Sequence, residues 1–156
     1  MKRINCILQE HQFSSSEIKA IEASFKALYK TYYSDEKLTV LWMIFPKGSA
    51  FAERKASNGT IILIEVEDDI NKEKREELMQ VYSQFLLENY SISPLDTVIT
   101  VANTSWVDRF FAAQQKRIHP MYRPWVTLKT MYTAITSKMT HGFLRLRIKY
   151  QSTLKF

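Results

Sequence analysis

The chain has 156 residues, 46% of them apolar and 13% aromatic, which excludes intrinsic disorder and allows one domain with a real core. Its single cysteine excludes an internal disulfide, and no apolar run approaches the roughly 20 residues of a membrane span. The net charge of +6 is unevenly placed, with a balance of −3 over residues 1–105 and +9 over residues 106–156. We therefore expect a cytoplasmic protein without membrane contact.

A strand, a helix and a second strand are predicted in the first 45 residues. Alternating apolar residues over 4–8 predict the first strand. Ser14 and Glu17 form a capping-box pattern, and apolar residues at three- and four-residue spacing predict a helix over 14–33. The run 38–45 is apolar at nearly every position, which predicts a strand buried on both faces.

The same three elements recur about 57 residues further along the chain, a spacing that indicates an internal repeat. Residues 61–66 predict a third strand, Asn71 begins a second helix, and residues 98–102 predict a fourth strand. The predicted fold class is α+β: duplicated β-α-β units form a four-stranded sheet with two helices on one face. This duplicated core spans 1–105.

The basic segment 106–156 predicts a C-terminal extension of helices and a strand. Apolar residues over 106–117 favour a short helix, and a longer helix runs from Pro124 to a C-cap at Gly142. Residues 144–150 alternate apolar and cationic side chains, as in a strand at a sheet edge. We expect the extension to pack on the core or on a neighbouring subunit.

Three short segments carry a family resemblance in addition to the repeat: Pro46-Lys47-Gly48-Ser49-Ala50-Phe51, Ile92-Ser93-Pro94 and Lys116-Arg117-Ile118-His119-Pro120. In this order they resemble the tautomerase superfamily, which has the 4-oxalocrotonate tautomerase and macrophage migration inhibitory factor fold. The similarity is greatest to its cis-3-chloroacrylic acid dehalogenase branch and covers about residues 2–120. The resemblance implies a homotrimer that transfers protons on small enolisable oxo acids without a cofactor.

The resemblance also implies an N-terminal proline as catalytic base, and this chain departs from that pattern. Lys2 occupies the place of the proline. Because a lysine at the second position normally leaves the initiator methionine in place, we expect the free amine to belong to Met1. An α-amine titrates close to neutrality and is therefore a chemically reasonable base. The two family arginines that bind the substrate carboxylate fall on Asp68 and Asn71, and the glutamate that activates water falls on Gln114. We therefore expect neither dehalogenation nor hydration.

The leading hypothesis is thus a weak or atypical tautomerase with an amine base at its N-terminus. Its candidate catalytic residues are Met1, Lys2, Tyr29 and Gln114, and its candidate substrate-binding residues are Arg54, Lys55 and Arg117.

Two other functions remain open. The simultaneous loss of the proline, both arginines and the glutamate favours a catalytically silent relative that binds a small anionic ligand. The +9 extension instead favours a nucleic-acid-binding module, in which aromatic residues stack bases between cationic ones. The residues of that module would be Trp125, Phe143, Arg145, Arg147, Lys149 and Tyr150. The three histidines lack metal-ligand spacing, so no metal site is expected.

The doubly apolar strands also predict an assembly. One face of the sheet, lined by Leu41 or Trp42 depending on register, would be a large apolar patch on a monomer. Closing three sheets around an axis buries that face, which favours a homotrimer. The alternative cover is the helix from Leu128 to Met139, folded over the same face within one chain.

Overall fold

The computed structural model describes residues 1–48, 51–52, 55–56 and 59–147. In chain order its elements are β1 (Lys2–Gln9), α1 (Ser15–Tyr32), β2 (Leu38–Phe45), β3 (Phe51–Ala52), β4 (Lys55–Ala56), β5 (Thr60–Val66), α2 (Lys72–Tyr90), β6 (Thr97–Asn103), α3 (Thr104–Arg117), α4 (Arg123–His141) and β7 (Leu144–Arg147). Short 3-10 turns precede β6 and α4.

The main sheet has five strands in the order β6-β5-β1-β2-β7. Its central pair, β1 and β5, is antiparallel, whereas β1–β2, β5–β6 and β2–β7 are parallel. The two β-α-β units therefore meet at β1 and β5, which confirms the predicted α+β class and the four-stranded duplicated core. The extension adds β7 as an edge strand, and β3 with β4 makes a separate hairpin.

The helices α1 and α2 cover one face of this sheet, here called the helix face. The predicted capping box at Ser14 is present and starts α1. Phe25 of α1 stacks on Trp42 with ring centroids 6.4 Å apart and packs on Tyr82 of α2 at 4.9 Å. Trp42 is buried here, so its neighbour Leu41 belongs to the opposite face, which settles the register left open by the sequence.

The opposite face, here called the open face, carries α3, the one helix on that face among the described residues. Between α3 and the strands lies an apolar groove of about 410 Å³. Leu41, Met43 and Ile61 line it from the sheet, and Trp106 and Phe110 line it from α3. Both aromatic side chains remain about half exposed, so α3 covers this face only in part.

The helix α4 lies away from the open face, so the predicted intramolecular cover by the helix from Leu128 to Met139 is wrong. Ser137 Oγ donates to the carbonyl of Phe143 at 3.0 Å and accepts from the amide of Arg145 at 2.8 Å, which ties α4 to β7. Leu128 and Met139 are 68% and 82% exposed. Among the described residues, no helix is long and apolar enough to cross a membrane.

Candidate functional site

Lys2, a candidate base in the sequence analysis, is buried at the beginning of β1. Its ammonium donates to Thr104 Oγ1 at 2.7 Å and forms an ion pair with Glu67 Oε1 at 2.6 Å. Burial by itself lowers the pKa of Lys2, but the hydrogen bond and charge of Glu67, helped by Glu36 and Tyr33, raise it above the ordinary value. A lysine held protonated in this way is unsuited to act as a base near neutral pH.

Arg3 occupies the same end of the strand on the open face. Its Nε and Nη2 hold the carboxylate of Glu65 at 2.6 and 3.1 Å, and Nη2 also donates to Asp108 at 2.6 Å. The guanidinium lies 5.5 Å from the ring centroid of Phe111. The hydrogen bond that Arg3 donates to Glu65, acting against burial, raises the pKa of Arg3 further above its ordinary value. Both cations at this end thus already have protein partners.

Of the other predicted site residues, the structure describes Met1, Tyr29, Gln114 and Arg117. Met1 is 74% exposed. Tyr29 is fully buried and its hydroxyl donates to the carbonyl of Glu65 at 2.9 Å, so a ligand could use that hydroxyl only after this bond breaks. Gln114 is half-buried and Arg117 exposed near the end of α3. Arg54 and the side chain of Lys55 lie outside the described residues.

A polar cavity lies at the opposite end of β1, where the chain leaves the sheet and enters α1. We call this space of about 310 Å³ the basic cavity. It is bordered by the carboxyl-terminal ends of β1 and β2, by the first turn of α1 and by β7. Its polar lining consists of Gln9, Glu10, His11, Ser14, Ser15 and Arg145.

Arg145 gives this cavity its chemical character. Its Nε is buried and has no hydrogen-bond partner, the one such side-chain nitrogen or oxygen in the part of the chain that the structure describes. In the parallel register of β2 and β7, Arg145 lies beside Trp42, which turns it to the helix face. A buried donor without an acceptor costs about 1–3 kcal/mol, and Arg145 borders a second cavity beside α4 as well as this one.

One further feature favours negative charge in the basic cavity, and another opposes it. The first turn of α1, with Ser15 in the lining, carries the partial positive charge and free amides of a helix N-terminus. His11 also lines the cavity and has a left-handed backbone with φ of 66°, a conformation uncommon for a residue with a side chain. Glu10 also lines the cavity and contributes a negative charge that offsets the charge of Arg145.

The sequence predicts Arg145 as one of the cationic residues of a nucleic-acid-binding module and predicts no role for His11. Phe143 of the same module is 2% exposed, so it offers no face for base stacking. The sequence feature that could have singled out Arg145 is its position between two leucines of one predicted strand. Among the described residues, no group of three or more His, Cys, Asp or Glu side chains is placed to hold a metal ion.

Comparisons with known proteins place this arrangement in a structural context. No protein-family model matches the chain, and no curated protein matches it. The crystal structure of native Ps01740 matches with a TM-score of 0.61 at 15% identity, over 67% of this chain and 96% of that one. N1, a member of the cis-3-chloroacrylic acid dehalogenase family, matches at 0.60 and 10%, over 65% and 73%. Pt0534 inactivated by 2-oxo-3-pentynoate matches at 0.59 and 12%, over 65% and 84%.

Proposed function

Because the chain has the fold of the tautomerase superfamily, we propose that it is a tautomerase-fold protein that binds a small organic monoanion in the basic cavity. The observation that carries this proposal is the buried Nε of Arg145, which has no acceptor within the described protein. A carboxylate in the cavity would accept a charge-assisted hydrogen bond from the guanidinium of Arg145, and such a bond is about twice as strong as a neutral one.

The ligand class follows from the size and charge of the cavity. A volume of about 310 Å³ lies at the lower end of the range for small-molecule sites, which favours a compact ligand. Glu10 disfavours a second negative charge on the ligand. Pt0534, which shares the fold, is inactivated by 2-oxo-3-pentynoate, and this supports small 2-oxo carboxylates as the first compounds to test.

Calorimetric titration with pyruvate and phenylenolpyruvate, together with thermal unfolding, tests the proposal. A ligand at 100 times its Kd stabilises the folded protein by about 2.7 kcal/mol, which a thermal shift detects easily. We expect binding by the wild type and its loss in Arg145→Met, which keeps most of the aliphatic stem. Arg123→Met is the matched control, because Arg123 is exposed and bonds only to the Ile118 carbonyl among the contacts described. Equal binding by both variants would contradict the site.

A second candidate function is weak proton transfer on an enolisable oxo acid, with the amine of Met1 as base. It is favoured by the exposure of Met1 at the chain start, whereas the ammonium of Lys2 is committed to Glu67. In this proposal Arg54, Arg117 and, once it releases the Glu65 carbonyl, Tyr29 polarise the substrate. Ketonisation of phenylenolpyruvate before and after N-terminal acetylation is the test, with Lys2→Met as control. Turnover that survives acetylation excludes the Met1 amine as the base.

A further inference from the structure

The helix α4 carries its large apolar side chains on the side that faces solvent. The side nearest the protein carries Thr133, Ala134 and Ser137, which are half-buried or buried. The solvent side carries an apolar stripe about 120° wide, enough for the apolar face of an amphipathic helix. This outward stripe consists of Trp125, Leu128, Met131, Tyr132, Ile135 and Met139, which are 56–82% exposed.

The rest of the chain holds the outward stripe in place before any partner binds. Near the end of α4, Ser137 Oγ bonds to the Phe143 carbonyl and to the Arg145 amide. At the beginning of α4, Arg123 Nε donates to the Ile118 carbonyl at 3.0 Å. The helix is therefore formed and fixed at both ends, which lowers the entropic cost of binding through the stripe.

Two lysines border the outward stripe, one on each side. Lys129 follows Trp125 by four residues, and its Nζ lies 5.0 Å from the centroid of the indole ring. Lys138 follows Met131 by seven residues, which places it beside the opposite edge of the stripe. Both lysines and Arg123 are exposed, and none of the three forms an ion pair with another residue that the structure describes.

The sequence around the stripe carries no opposing charge. Residues 109–156 contain ten Lys or Arg and no Asp or Glu. An apolar helix face bordered by lysines is typical of helices that lie in the interface of an anionic membrane. Trp125 and Tyr132 suit that position, because their rings contact acyl chains while their polar atoms stay at the headgroups. Lysine stems likewise run along apolar surface and place their ammonium groups in the polar layer.

We propose that the outward stripe of α4 binds the surface of a membrane that contains anionic phospholipids. The apolar side chains enter the boundary between headgroups and acyl chains, and Arg123, Lys129 and Lys138 contact the anionic headgroups. Each such cation strengthens binding by about fivefold. The helix lies in the plane of the surface and does not cross it. The expectation of no membrane contact rested on spanning segments alone, and this proposal revises it without depending on the basic cavity.

Charge favours this lipid surface over a second copy of the chain. The apolar groove on the open face is lined on one side by Trp106, Phe110 and Phe111, which belong to the basic segment. A helix with lysines on both sides of its stripe gains no opposite charge from those residues. Anionic headgroups supply negative charge on both sides of the stripe at once.

Flotation of the full chain with vesicles of three parts phosphatidylcholine to one part phosphatidylserine tests the proposal. We expect the wild type to bind, and high ionic strength to weaken binding because salt screens the cations. Leu128→Ser/Ile135→Ser removes two aliphatic side chains from the stripe, so we expect the Kd for the vesicles to rise by about a hundredfold or more. Leu87→Ser/Leu95→Ser is the matched control, because it removes two exposed leucines outside the basic segment and keeps the stripe.

A second pair of variants isolates the contribution of charge. Lys129→Gln/Lys138→Gln keeps the stripe, and we expect it to raise the Kd for the mixed vesicles by about 30-fold. Binding to vesicles of pure phosphatidylcholine stays unchanged in this variant. Lys30→Gln/Lys72→Gln is the control, because it removes the same charge from exposed positions on α1 and α2.

Fluorescence identifies the segment that enters the lipid. Trp42 is buried, so Trp106→Phe leaves Trp125 as the exposed indole of the chain. We expect its emission to shift to the blue when the mixed vesicles are added, and an unshifted spectrum would show that the stripe stays in water.

Three other results would overturn the proposal. The wild type could fail to bind the mixed vesicles, or Leu128→Ser/Ile135→Ser could bind them as well as the wild type does. Sedimentation without lipid could also give an oligomer for the wild type and an 18.4 kDa monomer for that variant. The stripe would then be covered by a second copy of the chain. Circular dichroism verifies that each variant is folded.

Discussion

Two arginines on the same sheet, Arg3 and Arg145, have opposite surroundings. Arg3 holds a carboxylate that is 1% exposed, receives a second one from α3 and lies over an aromatic ring. Arg145 has a buried nitrogen without any partner and borders a cavity. The first arrangement stabilises the fold. The second costs stability, which is typical of a site that is completed by binding.

The largest effect on stability is expected from Arg3→Met, at the end of β1 where Arg3 pairs with Glu65. This change leaves Glu65 buried without its cation, so we expect the free energy of unfolding to fall by about 3 kcal/mol. Urea denaturation measures it. The double variant Arg3→Met/Glu65→Met is the control and recovers most of the loss, because both charges are then gone. A single variant as stable as the wild type would mean that Arg3 does not serve the fold.

A smaller loss of stability is expected from Ser14→Ala, at the start of α1 beside the basic cavity. Ser14 Oγ accepts from the amide of Glu17 at 3.2 Å, and loss of such an N-cap costs about 1 kcal/mol. The same denaturation experiment measures the loss, and Ser15→Ala within the first turn of α1 serves as its control. An unchanged midpoint for Ser14→Ala would show that another group caps α1.

Arg145→Met is expected to act in the opposite direction from Arg3→Met. Removing a buried donor that has no acceptor raises the free energy of unfolding by up to about 1 kcal/mol in the absence of ligand. The comparison sharpens when a saturating monocarboxylate is added, because the wild type then gains stability and the variant does not. A loss of 2 kcal/mol or more, measured without ligand, would place Arg145 in the same structural class as Arg3.

The smallest effect concerns pH and Lys2. Its pKa in the folded protein lies above the ordinary value of 10.5, so its ion pair contributes fully below pH 10.5 and is lost as the pH rises through the folded value. We expect the wild type to lose under about 1 kcal/mol more than Lys2→Met over that alkaline range, since Glu67 is half exposed. Tyrosine titration contributes equally to both proteins, so its contribution cancels when the difference between the two pH profiles is taken. Parallel pH profiles would contradict the ion pair.

The sequence predicted those features that depend on local pattern. The capping box at Ser14, the stripe through Phe25 and the duplicated units all rest on neighbouring residues, and the structure confirms them. The alternation around Arg145 correctly indicated a strand. The residues that surround Arg145 depend on the register of β7 against β2. These two strands are about 100 residues apart in the chain, so local pattern does not predict their pairing.

The orientation of α4 could not be predicted from local sequence pattern either. Periodicity finds an apolar stripe through Leu128 and Ile135, but it does not say whether the stripe meets the chain's own core or another surface. Burial of Tyr29 was missed because Tyr29 flanks the predicted stripe, and its buried hydroxyl finds a carbonyl of β5. Lys2 was missed as an ion-pair partner because Glu67 and Thr104 come from distant parts of the chain.

The pairing of β7 with β2 has a consequence for the newborn chain. About 100 residues separate the end of β2 from the start of β7, and ribosomes add roughly 5–20 residues per second. For about 5–20 seconds of synthesis, therefore, the outer edge of an apolar strand has no neighbour from its own chain. Open edges of this kind recruit other strands. The nascent polypeptide is thus most prone to aggregate during this interval, and translation of its last segment ends that exposure.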